Sequence, residues 1–322
     1  MPDRFITNII DFNVISGINK YGEDYTMYDI KEIYQPSNLS ETLNLMASNQ
    51  DGIVISGGTD VLIRLRERKL KECKLISIHK LKELQGISYN DSLNDMIIYP
   101  GTCFEEIHSN TMVEKRCHCL WQAANEVGSP QIRTVATIGG NVCNGAVSAD
   151  SAPSLLVLNA ELELTMAHSK RNVPIREFFT GPGKTVLEKG KELLTAIKIP
   201  AVPEGSGSYY IKFGARNALE ISTLGCAVFV TLNESKDAFE DFRIAFGVAA
   251  PTPIRCTQIE ERVKGLPLTR ETLKFIGNEV LKEVNPRDSW RASKQLRIQL
   301  IRELSQRAAE GAVRNAGGAI ID

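Results

Sequence analysis

Along residues 28–200 the apolar positions gather in short runs broken by glycine, proline and charge. IKEIY (30–34) has the length and make-up of a strand, and Pro36 stops it. Asn38 precedes Glu41 by three, a capping-box spacing, and Leu39, Leu43 and Met46 follow at helical intervals. GIVIS (52–56), KLISI (74–78) and MIIYPG (96–101) read as short apolar strands, the first running into GGTD. Thr102 with Glu105 makes a second capping box. LWQAANEVG (120–128) is a predicted helix closed by Gly128. ELELTM (161–166) alternates as a half-buried strand does, and ELLTAIKIP (192–200) ends at a proline.

AVPEGSGS (201–208) is a linker by its Pro, Gly and Ser content. Beyond it lie three strand-like runs, 209–214, 223–232 and 239–248, then helices over 257–264, 269–284 and 289–315. Strands followed by helices predict an α+β domain with an antiparallel sheet. Residues 1–26 are polar and turn-rich and read either as a loosely ordered extension, with Met27 as an alternative start, or as a short extra helix or strand. No internal repeat or low-complexity tract interrupts the chain.

Composition narrows the function classes. The chain has 322 residues, enough for two or three domains, and 38 Lys plus Arg against 39 Asp plus Glu. The net charge of −1 leaves no field to steer it onto nucleic acid or an acidic membrane. No run approaches a membrane span, and the N-terminus lacks the pattern of a secretory signal. Seven irregularly spaced cysteines without a CxxC predict free thiols in a reducing cytoplasm. The four histidines do not pair at a metal spacing, so no metal site is expected.

Two glycine segments carry the candidate chemistry: GGTD (57–60) and TIGGN (137–141), each after an apolar run. Glycine removes the Cβ and lets consecutive N–H groups face one concavity, a nest for anionic oxygens. Either each pair is only a turn, or the two together hold the diphosphate of a nucleotide cofactor. Rival phosphate motifs fail. GxGxxG is absent, and GPGKT (181–185) lacks the first glycine of a P-loop, which would fall at Phe178.

The stretch VGSPQIRTVATIGGNVCNGAVSADSAPSLLVLNAELEL (127–164) resembles the FAD-binding subunit of molybdenum hydroxylases, the xanthine dehydrogenase family. IVISGGTDVLIRLR (53–66), FFTGPGKTVLEKGKELLTAIKIP (178–200), IKFGARNALEISTLG (211–225), FGVAAPTPIRC (246–256) and SWRASKQLR (289–297) resemble further blocks of it. The resemblance spans about residues 27–316, and its wording is most like the bacterial xanthine (purine) dehydrogenases. It implies an α+β chain: a two-lobed FAD domain of the vanillyl-alcohol-oxidase (PCMH) type over 27–202, with lobes of about 27–84 and 85–202. A smaller domain like the CO dehydrogenase flavoprotein C-terminal domain would follow over 207–322.

Carried over by position, Val54, Ile55, Ser56, Gly57, Gly58, Thr59, Asp60 and Val61 would line the pyrophosphate and ribityl side. Thr137, Ile138, Gly139, Gly140 and Asn141 would form the second phosphate loop, and a larger residue at either glycine should obstruct it. Asp150 would hold adenosine-side hydroxyls; Leu194 and Lys212 match further flavin contacts. Val127 stands where some members carry an aromatic residue, and Glu220 lies in a loop near the nicotinamide route. The implied role is electron transfer from iron–sulfur clusters on one partner subunit, fed by a molybdenum centre on another, through FAD to NAD. No catalytic acid, base or nucleophile is needed on this chain. Two alternatives stand beside this: the same module in a nicotinate or aromatic acyl-CoA hydroxylase, and an FAD-binding assembly protein without turnover. Cys103, Cys117, Cys119 and Cys143 are expected to be ordinary thiols rather than cluster ligands, Trp121 and Trp290 packing residues in helices, and Arg291 and Lys294 a solvated helix face.

Overall fold

A parallel sheet opens the main body of the chain. The computed structural model describes residues 16–18, 24–26, 28–90, 92–216 and 218–322. Within the N-terminal extension, β1 (Ser16–Ile18) and β2 (Asp24–Thr26) pair antiparallel; the other residues of 1–26, and Met27, lie outside the described residues. The first lobe then runs β3 (Ile30–Tyr34), α1 (Leu39–Ser48), β4 (Ile53–Ile55), α2 (Val61–Arg66) and β5 (Cys73–Ser77). Its strands lie parallel in the order β3-β5-β4. Parallel pairing needs a crossover, which α1 and α2 supply. Asn38 caps α1 as its spacing predicts, accepting from Glu41 N at 2.8 Å, while the Glu41 carboxylate turns to Ser37.

The second lobe begins with β6 (Ile87–Asn90) and β7 (Asp95–Ile98). Helices α3 (Phe104–Ser109), α4 (Thr111–Arg116), α5 (His118–Asn125), α6 (Pro130–Arg133), α7 (Ile138–Cys143) and α8 (Ser151–Val157) follow. The lobe closes with β8 (Glu161–Thr165), β9 (Lys170–Pro174), β10 (Phe179–Gly181), β11 (Lys184–Thr185) and β12 (Leu193–Ile199). Five of these strands form an antiparallel sheet in the order β6-β7-β12-β8-β9. The second capping box falls one residue later than its spacing suggests: Cys103 N donates to Glu106 Oε2 at 2.9 Å. Thr102 is buried instead, exchanging hydrogen bonds with the backbone of Gly86 at 2.8 and 2.9 Å. The small-residue run 137–157 contains α7 and α8; every side chain of α8 is buried, and packing overrides weak helix propensity.

The C-terminal unit is an antiparallel meander with helices, as the order of runs predicts. It comprises β13 (Ser206–Phe213), β14 (Leu224–Leu232), β15 (Phe239–Gly247), β16 (Ile254–Arg255), α9 (Thr257–Val263), α10 (Arg270–Glu279) and α11 (Lys294–Asn315). All nine residues of β14 are buried, which explains its unbroken apolar run. Alternate side chains serve two cores. Leu224, Cys226, Val228 and Val230 pack under α9–α11, while Ala227 and Phe229 join the core of the second lobe.

Two expectations fail here. The helix foreseen over 289–315 starts only at Lys294, after an irregular stretch in which buried Arg297 holds Ser289 Oγ (2.8 Å) and Ala292 O (3.3 Å). Trp290 lies in that stretch, 84% exposed with Arg291 over its ring at 4.1 Å, so it is not a packing residue. Trp121 does pack, against His108 and His118 with ring centroids 4.5 and 5.2 Å away. Burial pushes the Cys119 thiol up to about 11 and the Cys143 thiol up to about 12.

Candidate functional site: a cavity between the two lobes

A cavity of about 700 Å³ lies between the lobes, within the range of small-molecule and cofactor sites. Its first wall comes from β4 and the turn that follows. β4 is an edge strand, so alternate N–H groups point away from β5. Among the described residues, no backbone amide from Ser56 to Asp60 donates to an internal acceptor. The buried hydroxyl of Ser56 has no partner either. An unpaired buried donor such as the Ser56 hydroxyl costs about 1–3 kcal/mol unless something outside the chain accepts from it. Gly57 is required by close approach: a Cβ there would overlap Val135 O, and this contact brings the turn against the second lobe. Asn144 Nδ2 reaches across to Asp60 Oδ1 at 3.4 Å.

The second wall is the start of α7, with Pro100 and Val127. Its amides are largely spent inside the protein. Ile138 N donates to Thr102 O (3.1 Å), Gly139 N to Pro100 O (2.8 Å) and Asn141 N to Thr137 O (3.0 Å). Gly140 N holds only a long bond, to Thr137 Oγ1 at 3.3 Å. The two glycines therefore differ. A Cβ on Gly139 would lie 2.6 Å from Pro100 O, whereas a Cβ on exposed Gly140 would meet only Thr137 Oγ1, at 3.1 Å. Gly139 is a packing glycine, and Gly140 is the one that leaves room in the cavity.

Val54, Ser56 to Val61, Val127, Thr137, Gly139, Gly140, Asn141 and Leu194 all line this cavity. Ile55 and Ile138 do not; their side chains belong to the cores. Asp150 and Lys212 are also absent from the lining. Lys212, on β13, donates from Nζ to Asp150 Oδ2 (3.0 Å) and to Glu126 O (2.7 Å), directly behind Val127. Asp150 also accepts from Tyr210 (2.9 Å) and from Ser222. Burial pushes the Asp150 carboxyl up, against the opposing pull of Lys212 and the hydroxyls. Asp150, expected to hold ligand hydroxyls, thus has its oxygens engaged by groups of the C-terminal unit. Glu220 also lies outside the lining, paired with Arg216 at 2.8 Å.

A third wall escaped the residue-level reading. Gly183, Leu187, Lys189, Gly190, Glu192 and Leu193 line the cavity from the segment before β12. In the block 178–200 the resemblance implies a flavin contact only at Leu194, and the turn-rich remainder carries no periodicity that marks a wall. Cys143 also lines the cavity, as a thiol rather than a thiolate given the effect of burial. The described residues hold no group of three or more His, Cys, Asp or Glu suited to a metal ion.

Comparison with known proteins decides what this cavity belongs to. Residues 26–202 match the family model described as the FAD binding domain in molybdopterin dehydrogenase, and 208–312 match the CO dehydrogenase flavoprotein C-terminal domain. The chain belongs to this family of FAD-binding subunits. It is 41% identical over 293 residues to the xanthine dehydrogenase FAD-binding subunit of Escherichia coli O157:H7, covering 91% of this chain and 99% of that one. It is 31% identical to the nicotinate dehydrogenase FAD-subunit of Eubacterium barkeri, over 75% of this chain and 82% of that one. The fold superposes on a chain of carbon monoxide dehydrogenase from Hydrogenophaga pseudoflava with a TM-score of 0.84 at 25% identity, covering 89% and 99%. The fold is thus the PCMH-type FAD-binding fold with its C-terminal α+β domain, and the chain is a subunit type found in oxidoreductases of the molybdenum hydroxylase family. The site fits that cofactor. Free amides over Ser56–Asp60, the partnerless Ser56 hydroxyl and the open face of Gly140 are what a diphosphate requires.

Proposed function

We propose that the chain is the FAD-carrying electron-transfer subunit of a molybdenum-containing xanthine or purine dehydrogenase, with NAD as diffusible acceptor. Its partners in a heterotrimer are an iron–sulfur subunit and a molybdenum-binding catalytic subunit. The observation that carries this reading is the 41% identity to the E. coli subunit over 99% of that subunit's length. The domains are 27–202 for FAD and 207–322 for the C-terminal unit. The place proposed for the complex is the cytoplasm: all seven cysteines are free thiols, and no described helix is long and apolar enough to cross a membrane.

When bound, FAD supplies the redox centre, able to exchange electrons singly or as a hydride. The chain's own residues bind and shield. Amides of Ser56–Asp60 and the Ser56 hydroxyl hold the diphosphate, with Thr59, Thr137 and Asn141 as neighbouring polar groups. Val54, Val61, Val127 and Leu194 supply apolar wall that excludes water. Lys212, paired with Asp150, positions Val127 through Glu126 O. A second reading, the same module in another molybdenum hydroxylase, is favoured by the nicotinate dehydrogenase relative.

A visible spectrum of the purified chain during titration with NADH tests the proposal. A flavin spectrum bleached by NADH is expected, with no xanthine oxidation by the chain alone. A folded chain that takes up no flavin sinks the cofactor assignment, and flavin that NADH leaves unbleached sinks the NAD assignment.

A further inference from the structure

The stretch from Gly183, through β11, to the first residue of β12 does more than join two strands. It leaves the second lobe at Gly183, whose N–H donates to Gly145 O at 3.0 Å. It reaches the first lobe at Gly190, where a Cβ would overlap Gln50 O, and ends at Leu193, which packs with Leu43 and Met46 of that lobe's core. Leu187, Gly190 and Glu192 line the cavity on the way, while Lys184, Glu188 and Lys191 are exposed. The chain thus passes from one lobe to the other with the cavity beneath it.

One side chain outside the segment holds it. Arg171, on β9, donates from Nε to Glu192 Oε1 (2.6 Å), and from Nη2 to Glu192 Oε2 (2.9 Å) and Val186 O (3.1 Å). Glu192 Oε2 also accepts from Glu188 N at 2.8 Å. The Glu192 side chain is fully buried, whereas Arg171 is 46% exposed. Between its ends the segment has little apolar anchoring: Val186 and Leu187 are only partly buried. A stretch held mainly by polar contacts opens at lower cost than the cores around it.

We infer that residues 183–193 form a strap that retains the nucleotide cofactor in the cavity, and that Arg171 is a positioning residue that holds the strap shut through Glu192. This rests on the reading of the cavity as the FAD site. Arg171 touches no cavity surface; it fixes Glu192 and Val186, and through them the inner face of the strap.

The test uses the full chain loaded with FAD and reads two quantities: the rate of FAD release, from recovery of flavin fluorescence, and the rate of tryptic cleavage after Lys184, Lys189 and Lys191. Arg171→Met should keep the bound-flavin spectrum, release FAD at least about tenfold faster, as for the loss of its charge-assisted bonds to Glu192, and expose the strap to trypsin. Arg171→Lys, which keeps the charge but not the two-pronged contact, should fall between. Wild-type protein nicked in the strap should also release FAD faster, a result that does not depend on a variant folding. Release at the intact wild-type rate from both Arg171→Met and the nicked protein overturns the strap. A chain that takes up no FAD overturns the cavity assignment, and the strap with it.

Discussion

Gly139 and Gly140 look interchangeable in a string of letters and are opposites in space. Gly139 has the carbonyl of Pro100 against it, so an added methyl must displace backbone; exposed Gly140 faces the cavity. Gly139→Ala should therefore lower stability by about 1–3 kcal/mol, the usual cost of overpacking, as read from the urea midpoint. Gly140→Val should melt near the wild type yet purify with little flavin. Equal flavin content in folded Gly140→Val would remove the second wall from the site. Arg291, expected on a solvated helix face, instead precedes α11, with its Nε buried without a hydrogen-bond partner and its guanidinium over exposed Trp290.

β9 and the start of β12 show how a charged pair can tune an element. Burial pushes the Glu192 carboxyl up, but the Arg171 guanidinium and the Glu188 amide outweigh it, and the group ends below its ordinary value of 4.5. A carboxylate lowered on folding stabilises the native state fully above that ordinary value and loses the contribution as pH falls through the lowered one. FAD release should thus be flat around neutrality and accelerate below about pH 4.5, while Glu192→Gln, already without the charge, should lack that part of the acid rise. Identical acid profiles for the two proteins would show that other carboxylates govern the strap.

The two family domains share one packed body. Tyr210, Ala227, Phe229 and Ala245 from the C-terminal sheet sit in the same core as Leu120, Ala124 and Leu156 of the FAD domain. Polar contacts run alongside: Cys119 N to Ser208 Oγ at 3.1 Å, Tyr210 N to Gln122 Oε1 at 2.8 Å, and the Lys212–Asp150 pair, each side chain at most 10% exposed. A large apolar interface argues against independent domain motion. Urea unfolding should appear as one transition, alike by circular dichroism and tryptophan fluorescence. Lys212→Met should lower the unfolding free energy read from it by about 3–5 kcal/mol, because it strands a buried carboxylate, without splitting the transition. Two separated transitions would mean that the units fold apart.

Period and punctuation carried much of this chain in advance. The parallel-sheet strands, the cap at Asn38, the sheet-then-helix order after residue 208 and the turn at Ser56–Asp60 all follow from local chemistry, since strand alternation and side-chain caps act over a few residues. What local chemistry could not decide depends on neighbours distant in the chain. Pro100 makes Gly139 a packing residue, Arg171 engages the buried Glu192, and Lys212 pairs with Asp150. In each case the partner lies some twenty or more residues away, and only folding brings together the groups whose burial, contact and charge then set the role.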